Sequence, residues 1–421
     1  MKGLGHNGGF VGWWHHVASD DAFILQLLQQ AGCVLYVRTT EPQCLMHLET
    51  ANNLYGVTVN PYNRTLTSGG SSGGEGALIA LKGSPMGIGT DIGGSIRSPS
   101  ANCGIWGFRP SSYRLPLLGL TACMVGEEQI VAVIGPMSGS FEGLNIFMKT
   151  LIDQKPWLID PSLVPMPWKF PDSSSYFTKA DGKKKIKIGV LWSDEVVKPH
   201  PPVTRALKEL SEKLKAVPEV EIVDWKPYKH DLAWDIISSL YFCDGAKQDR
   251  AAVESSGEPW LPLSDFIIKD QPGVKEYTIT EVWDLTIQRE KYRGAYAQVW
   301  NETGKSGDPV DVILCPAGPG AAPPLEHSKY WGYTSQWNLL DYPALVFPVT
   351  QVDQEKDVVE EGYTPLNAQD EWNYKLYSPE KYVDAPVSLQ LVGRRYNDEK
   401  VFEAMEFIKS VVGSLPLVEF K

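Results

Sequence analysis

Apolar residues recur along this chain in two spacings, and the spacing assigns most of the elements. Phe23, Ile24, Leu27 and Leu28 fall on one face of a helix that Ser19-Asp20-Asp21 opens as cap and acidic first turn and that Gly32 stops. Residues 33–37 then read as a short buried strand, and a second helix is expected from Pro42, carrying Leu45, Met46 and Leu48. A short helix over 75–82 precedes a strand-like 86–90. Further strands are predicted at 130–134, 185–191, 220–225, 310–314, 345–350 and 387–392. Helices are predicted at 138–152, 201–215 and 399–411; in the second, Val203, Ala206, Leu207, Leu210 and Leu214 share one side. Residues 230–303 carry helical pattern throughout, longest over 280–301; they form either an insertion covering the active site or outer helices on the sheet. A Pro- and Ser-rich connection spans 153–182, a Gly/Pro-rich loop follows Cys315-Pro316, and no internal repeat occurs. Helix and strand in this alternation predict an α/β domain.

Between residues 67 and 116 the pattern is interrupted by glycine and serine. Gly69-Gly70-Ser71-Ser72-Gly73-Gly74 forms one loop, and Asp91-Ile92-Gly93-Gly94-Ser95-Ile96-Arg97 forms another. Glycine permits positive φ and close approach of a ligand to the backbone. A serine behind two glycines presents its hydroxyl among unscreened N–H groups, which suits a serine nucleophile beside an oxyanion site. On composition alone such a stretch reads first as paired glycine-rich turns or a phosphate cradle. Residues 3–8 fit GxGxxG, but no strand precedes them, which argues against a dinucleotide site. Residues 70–74 fit GxSxG, which would make Ser72 the nucleophile and require a late histidine; His200, His230 and His327 show no spaced Asp partner.

Composition narrows the classes. With 421 residues, 43% hydrophobic and 21% charged, the chain is that of a globular protein. Its net charge of −12 and lack of a Lys/Arg stripe exclude a nucleic-acid binder; Lys183-Lys184-Lys185 reads as a solvated strand entrance. The six cysteines form no CxxC pair and read as reduced, buried thiols of a cytoplasmic protein rather than a disulfide frame or zinc site. No apolar run is long enough for a transmembrane segment, and the N-terminus lacks a signal-peptide core.

GGSSGGEGA followed by GTDIGGSIRSPS resembles the signature of the amidase signature family of serine hydrolases. Weaker likeness in EPQCLMHLETANNLYGVTVNPYN, NLLDYPALVFPV and APVSLQLVGRRYNDE extends the resemblance over nearly the whole chain, toward the fungal acetamidase-like and fatty-acid-amide-hydrolase-like branch. The resemblance implies a single domain over 1–421 with a mixed, twisted central sheet and helices on both faces. It implies hydrolysis of a small-molecule amide through an acyl-serine intermediate, without metal or organic cofactor; a homodimer is the expected assembly. Ser95 matches the nucleophile, and Ser71 the bridging serine that follows a cis peptide, here Gly70–Ser71. Ile92, Gly93, Gly94 and Ser95 would offer N–H groups to the oxyanion, and Ser72 would hydrogen-bond near Ser71. Asp91 and Arg97 would pair to shape the loop or stand as solvated charges. Leu45 would touch the acyl group or pack in the core.

The family's proton acceptor is a lysine in a Lys-Asp pair, and no such pair precedes Ser71. Lys2 matches a later lysine, and Lys82 lies on the helix leading away from Ser71. The chain therefore reads as incomplete at its N-terminus, from a truncated gene model or a pseudoenzyme. Activity of this chain would be orders of magnitude below the family's, since a hydroxyl attacks poorly without a base. A non-catalytic binder of amidase fold and the amide-transferring subunit of a tRNA amidotransferase are the alternatives.

Overall fold

The computed structural model describes residues 1–171, 176–178, 185–305 and 307–413. Along the chain run α1 (Phe23–Gln30), the short hairpin β1 (Ala51–Asn52) and β2 (Gly56–Val57), α2 (Gly73–Ala80), β3 (Met86–Asp91), α3 (Arg97–Asn102), β4 (Trp106–Arg109), β5 (Val133–Ser138) and α4 (Phe141–Ile152). Then come β6 (Ile186–Val190), α5 (Pro201–Lys215), β7 (Val220–Asp224), α6 (His230–Tyr241), α7 (Lys247–Glu254), α8 (Pro262–Ile268) and α9 (Ile279–Glu302). The chain closes with β8 (Val312–Pro316), α10 (Gly332–Leu340), β9 (Ala344–Gln351), α11 (Ala368–Leu376), β10 (Pro386–Val392) and α12 (Asp398–Val412).

Eight strands make one sheet in the order β3-β5-β4-β9-β10-β8-β6-β7. Pairing is parallel for β6 with β7 and with β8, and antiparallel elsewhere, so the sheet is mixed. Side chains alternate between its faces, as the two-residue strand period requires. In β8, Val312 and Leu314 enter one core with α4, α5 and α12, whereas Ile313 and Cys315 enter the other with α6, α9 and α10. Helices thus cover both faces of one α/β domain.

The long periodic helices lie where the pattern puts them. In α5 the five predicted residues are all buried. Thr278 and Glu281 form a reciprocal capping box at the start of α9, which explains its sharp onset.

Several expectations need correction. Residues 33–37 form no strand; Val34 is 84% exposed, and Cys33 is an exposed thiol rather than a buried one. The Cys33 N–H bonds back to Leu28 O, so the segment begins as the run-off of α1, and the Tyr36 hydroxyl donates to Gly83 O. Ala22, not Ser19-Asp20-Asp21, caps α1; the Ser19 hydroxyl donates to Asp20, and Asp21 accepts from the Lys2 N–H. The helix expected from Pro42 is one turn, Gln43–Leu45, because Cys44 and Leu45 adopt φ of 63° and 58°, outside the helical region. The strand expected at 130 begins at Val133, since the Ile130 N–H is held in a turn by Glu127. The hairpin β1–β2 and elements α3, β4, α10 and α11 carry too few periodic residues to stand out. Lys183 and Lys184 lie outside the described residues.

Candidate active site

Strand β3 delivers the loop 92–96 to the start of α3, and a buried ion pair closes that loop into a ring. Asp91 accepts from Arg97 Nε at 3.0 Å and Nη2 at 2.9 Å, from the Gly94 N–H at 2.9 Å and from the Ile96 N–H at 3.1 Å. Asn338 on α10 donates to the same carboxylate at 2.9 Å, and Arg97 Nη1 donates to Thr334 O at 2.8 Å. Neither side chain of the Asp91–Arg97 pair is exposed. Burial alone would raise the Asp91 carboxyl, but Arg97, Asn338 and Arg109 outweigh it and hold it below the usual carboxylate range.

Two hydroxyls orient the loop from outside. Tyr241 on α6 donates to Ile92 O at 2.9 Å, and Thr334 on α10 donates to Gly93 O at 2.6 Å. In a trans peptide the C=O and N–H point in opposite directions. Fixing Ile92 O toward Tyr241 therefore turns the Gly93 N–H away from it. Fixing Gly93 O toward Thr334 aims the Gly94 N–H at Asp91, where it is consumed. Of the four N–H groups expected at the oxyanion, Gly94 is thus engaged elsewhere, and Ile92, Gly93 and Ser95 remain. Gly94 itself has φ +135°, a conformation that favours glycine.

The second loop is pinned from behind. The Thr50 hydroxyl donates to Gly69 O at 2.9 Å and Ser71 O at 3.3 Å, and accepts from the Gly73 N–H at 3.0 Å. A Cβ on Gly70 would stand 2.4 Å from Glu49 O, so only glycine fits there. The Gly70–Ser71 peptide is cis. Ser72 joins the loops: its N–H donates to Ser95 O at 3.2 Å, and its hydroxyl accepts from the Thr90 N–H at 3.3 Å. Ser71 and Ser95 are 4% and 6% exposed.

Ser71, Ser72, Asp91, Ile92, Gly93, Gly94, Ser95 and Arg97 therefore form one constellation. Leu45 is half-buried on its own turn, and Glu49 and Thr50 of the same segment reach the Ser71 loop. Lys82 is exposed beyond the end of α2, and Lys2 is exposed near α1. Among the described residues the three late histidines bond no carboxylate. His200 meets Asn373 O, His327 meets Leu325 O, and both His230 nitrogens are unpartnered. Thr50, Tyr241, Thr334 and Asn338 were not singled out from sequence; only the i, i+4 spacing of the last two on α10 could have hinted at a shared face.

Among the described residues, no helix is long and apolar enough to cross a membrane.

A family model described as Amidase matches residues 1–402. A Schizosaccharomyces pombe protein that carries an amidase name is 49% identical over 396 residues, which cover 94% of this chain and 72% of the relative. An acetamidase of Emericella nidulans is 36% identical over 417 residues, covering 99% of this chain and 75% of that protein. Among solved structures, a fatty acid amide hydrolase matches with a TM-score of 0.91 at 36% identity, over 99% of this chain and 72% of its own. A bacterial aryl acylamidase matches with a TM-score of 0.72 at 18% identity, over 99% and 81%, which speaks to the fold alone.

Proposed function

The chain belongs to the amidase family and hydrolyses carboxylic amide C–N bonds, and on that footing we propose that Ser95 is its nucleophile and Ser71 the serine that relays the proton. The bond from the Ser72 N–H to Ser95 O at 3.2 Å carries this reading, because it holds the two serine loops against each other. Ser95 Oγ attacks the amide carbon, and the tetrahedral oxyanion is met by N–H groups of Ile92, Gly93 and Ser95. Loss of one such donor typically costs about 3 kcal/mol of barrier. Collapse expels ammonia or an amine and leaves acyl-Ser95, which water then hydrolyses. Among the described residues no lysine bonds either serine hydroxyl; the base is the one part of the relay without an assigned residue.

The names of the relatives, acetamidase and fatty acid amide hydrolase, support a small-molecule amide as the substrate class. We also read the block 230–303 as a helical insertion over the active site, supported by the reach of Tyr241 to Ile92 O. A cytoplasmic location, supported by six unpaired cysteines, and a homodimer complete the proposal. Fractionation and sedimentation velocity test those two.

A fluorophosphonate probe tests the nucleophile. Labelling is expected on Ser95, abolished in Ser95→Ala and retained in Ser72→Ala. Labelling that survives Ser95→Ala, or that is lost in Ser72→Ala with the fold intact, overturns the assignment.

A further inference from the structure

Residues 33–42 run without a turn or bend and belong to no sheet. Their side chains hold them to the molecule. Leu35 packs against the core that includes α1, and the Tyr36 hydroxyl donates to Gly83 O. Arg38 donates to Gly5 O at 3.1 Å, and the Thr39 hydroxyl donates to Glu75 at 2.7 Å. The backbone contributes nothing to this anchoring: among the described residues no N–H or C=O group of residues 34–39 has a hydrogen-bond partner in the protein. Val34 is 84% exposed, Tyr36 60% and Val37 48%. The run Cys33-Val34-Leu35-Tyr36-Val37 carries no charge, and its Val and Tyr residues favour strands. An anchored, extended segment with an open backbone edge is a template for a second strand.

The edge fits its own copy. A two-fold axis pairs a strand with itself in antiparallel fashion, so each molecule supplies the groups that the other lacks. Side chains alternate, which puts Leu35, Val37 and Thr39 on the face toward the protein body and Val34, Tyr36 and Arg38 on the opposite face. Only an axis through a residue keeps those faces matched. An axis at Tyr36 sets Tyr36 opposite its copy, Leu35 opposite Val37, and Val34 opposite Arg38. It also keeps the ladder clear of Thr40, whose hydroxyl meets Thr58 at 2.7 Å and whose backbone packs against Gly74. Aromatic and apolar pairs of this kind stabilise adjoining strands.

Charge agrees with that register. Arg38 is the one charged residue in 33–40. Its two copies stand at opposite ends of the ladder, about 13 Å apart by strand rise, beyond the roughly 8 Å screening length at physiological salt.

We propose that residues 34–38 pair antiparallel with the same residues of a second copy of this chain, across a two-fold axis at Tyr36. The proposal rests on the homodimer reading above and gives that dimer its seat.

Sedimentation equilibrium of the full chain, Val34→Lys and Val34→Glu tests it. Residue 34 faces Arg38 of the second copy, twice per dimer, so lysine there meets a like charge and glutamate an opposite one. Val34→Glu is expected to dimerise about tenfold more tightly than Val34→Lys at low salt, and added salt should narrow the gap. Amide exchange within 34–38 is expected to slow as the unsubstituted chain is concentrated through its dissociation constant; should either variant not fold, that measurement decides alone. A chain that stays monomeric up to about 0.1 mM overturns both the seat and the homodimer reading. A dimer indifferent to both substitutions, with 34–38 amides that exchange at one rate whatever the concentration, leaves the homodimer standing and overturns the seat. Equal weakening by lysine and glutamate overturns the register at Tyr36, and assemblies that grow beyond two copies overturn the closed two-fold pairing.

Discussion

Arg97 grips Asp91 through two parallel bonds, Nε to Oδ2 at 3.0 Å and Nη2 to Oδ1 at 2.9 Å, with both side chains at 0% exposure. The pair shapes the nucleophile loop because the carboxylate also accepts from the Gly94 and Ile96 N–H groups of that loop, with Asn338 as its fifth donor. Removing one member of a buried pair strands the other as an uncompensated charge. Arg97→Ala is expected to lower the unfolding free energy by roughly 3–5 kcal/mol. Arg97→Lys should recover only part of that, since an ammonium cannot form the two-point contact. Urea titration of the three proteins checks this; a loss below about 1 kcal/mol in Arg97→Ala would contradict a structural role for the pair.

Tyr241 acts on the loop through Ile92 O, and its substitution separates orientation from folding. Tyr241→Phe keeps the ring in its core and deletes one hydrogen bond, which should cost about 1–2 kcal/mol of stability. The slackened Ile92–Gly93 peptide should slow fluorophosphonate labelling of Ser95 by about tenfold. Reversible amide binding should change little, because that donor acts on the oxyanion rather than on the bound amide. Unchanged labelling kinetics would mean that the 92–93 peptide keeps its orientation without Tyr241.

Glu49 gives the pH dependence a sign. It is 2% exposed, and burial pushes its carboxyl from 4.5 up to about 7, despite the bond it accepts from the Glu326 N–H. Between those values the unfolded chain releases the proton and the folded chain keeps it. The folded state then binds more protons, so stability falls as pH rises through that window. The contribution is about 3 kcal/mol, lost by neutral pH. Glu49→Gln keeps an oxygen for the Glu326 N–H and removes the titration. Its unfolding free energy relative to the unsubstituted protein should therefore rise as pH rises from about 4.5 to about 7. A difference that stays flat with pH would show that Glu49 titrates normally.

What could be read from residues alone divides by range. The helix α5 and the strands β8 and β10 were legible because one local period or one apolar run fills each of them. The two serine loops were legible because glycine and serine crowd there. Residues 33–37 misled because a short apolar run does not by itself fix burial: Val34, Tyr36 and Val37 lie exposed on the run-off of α1. Tyr241, Thr334 and Asn338 were invisible because each meets the loop across more than a hundred residues of chain, and no local pattern records such a meeting. Gly94 was legible as part of a glycine-rich loop, but the commitment of its N–H to Asp91 needed the fold.

Gly94 offers the sharpest backbone test. Its φ is +135°, and a Cβ there would sit 2.4 Å from Thr334 Oγ1 and 2.8 Å from Thr334 Cβ. Gly94→Ala must therefore adopt a strained φ and push Thr334 off Gly93 O. Strain alone is worth about 1–3 kcal/mol, and the clash adds to it. Gly126 is the matched control, because nothing lies within 4 Å of a Cβ built on it. Gly94→Ala should lose more than about 2 kcal/mol of stability together with Ser95 labelling, while Gly126→Ala should change stability by less than about 0.5 kcal/mol. Equal urea midpoints for the two variants would mean that the loop relaxes around an added methyl, and that the close packing of Thr334 does not hold it in place.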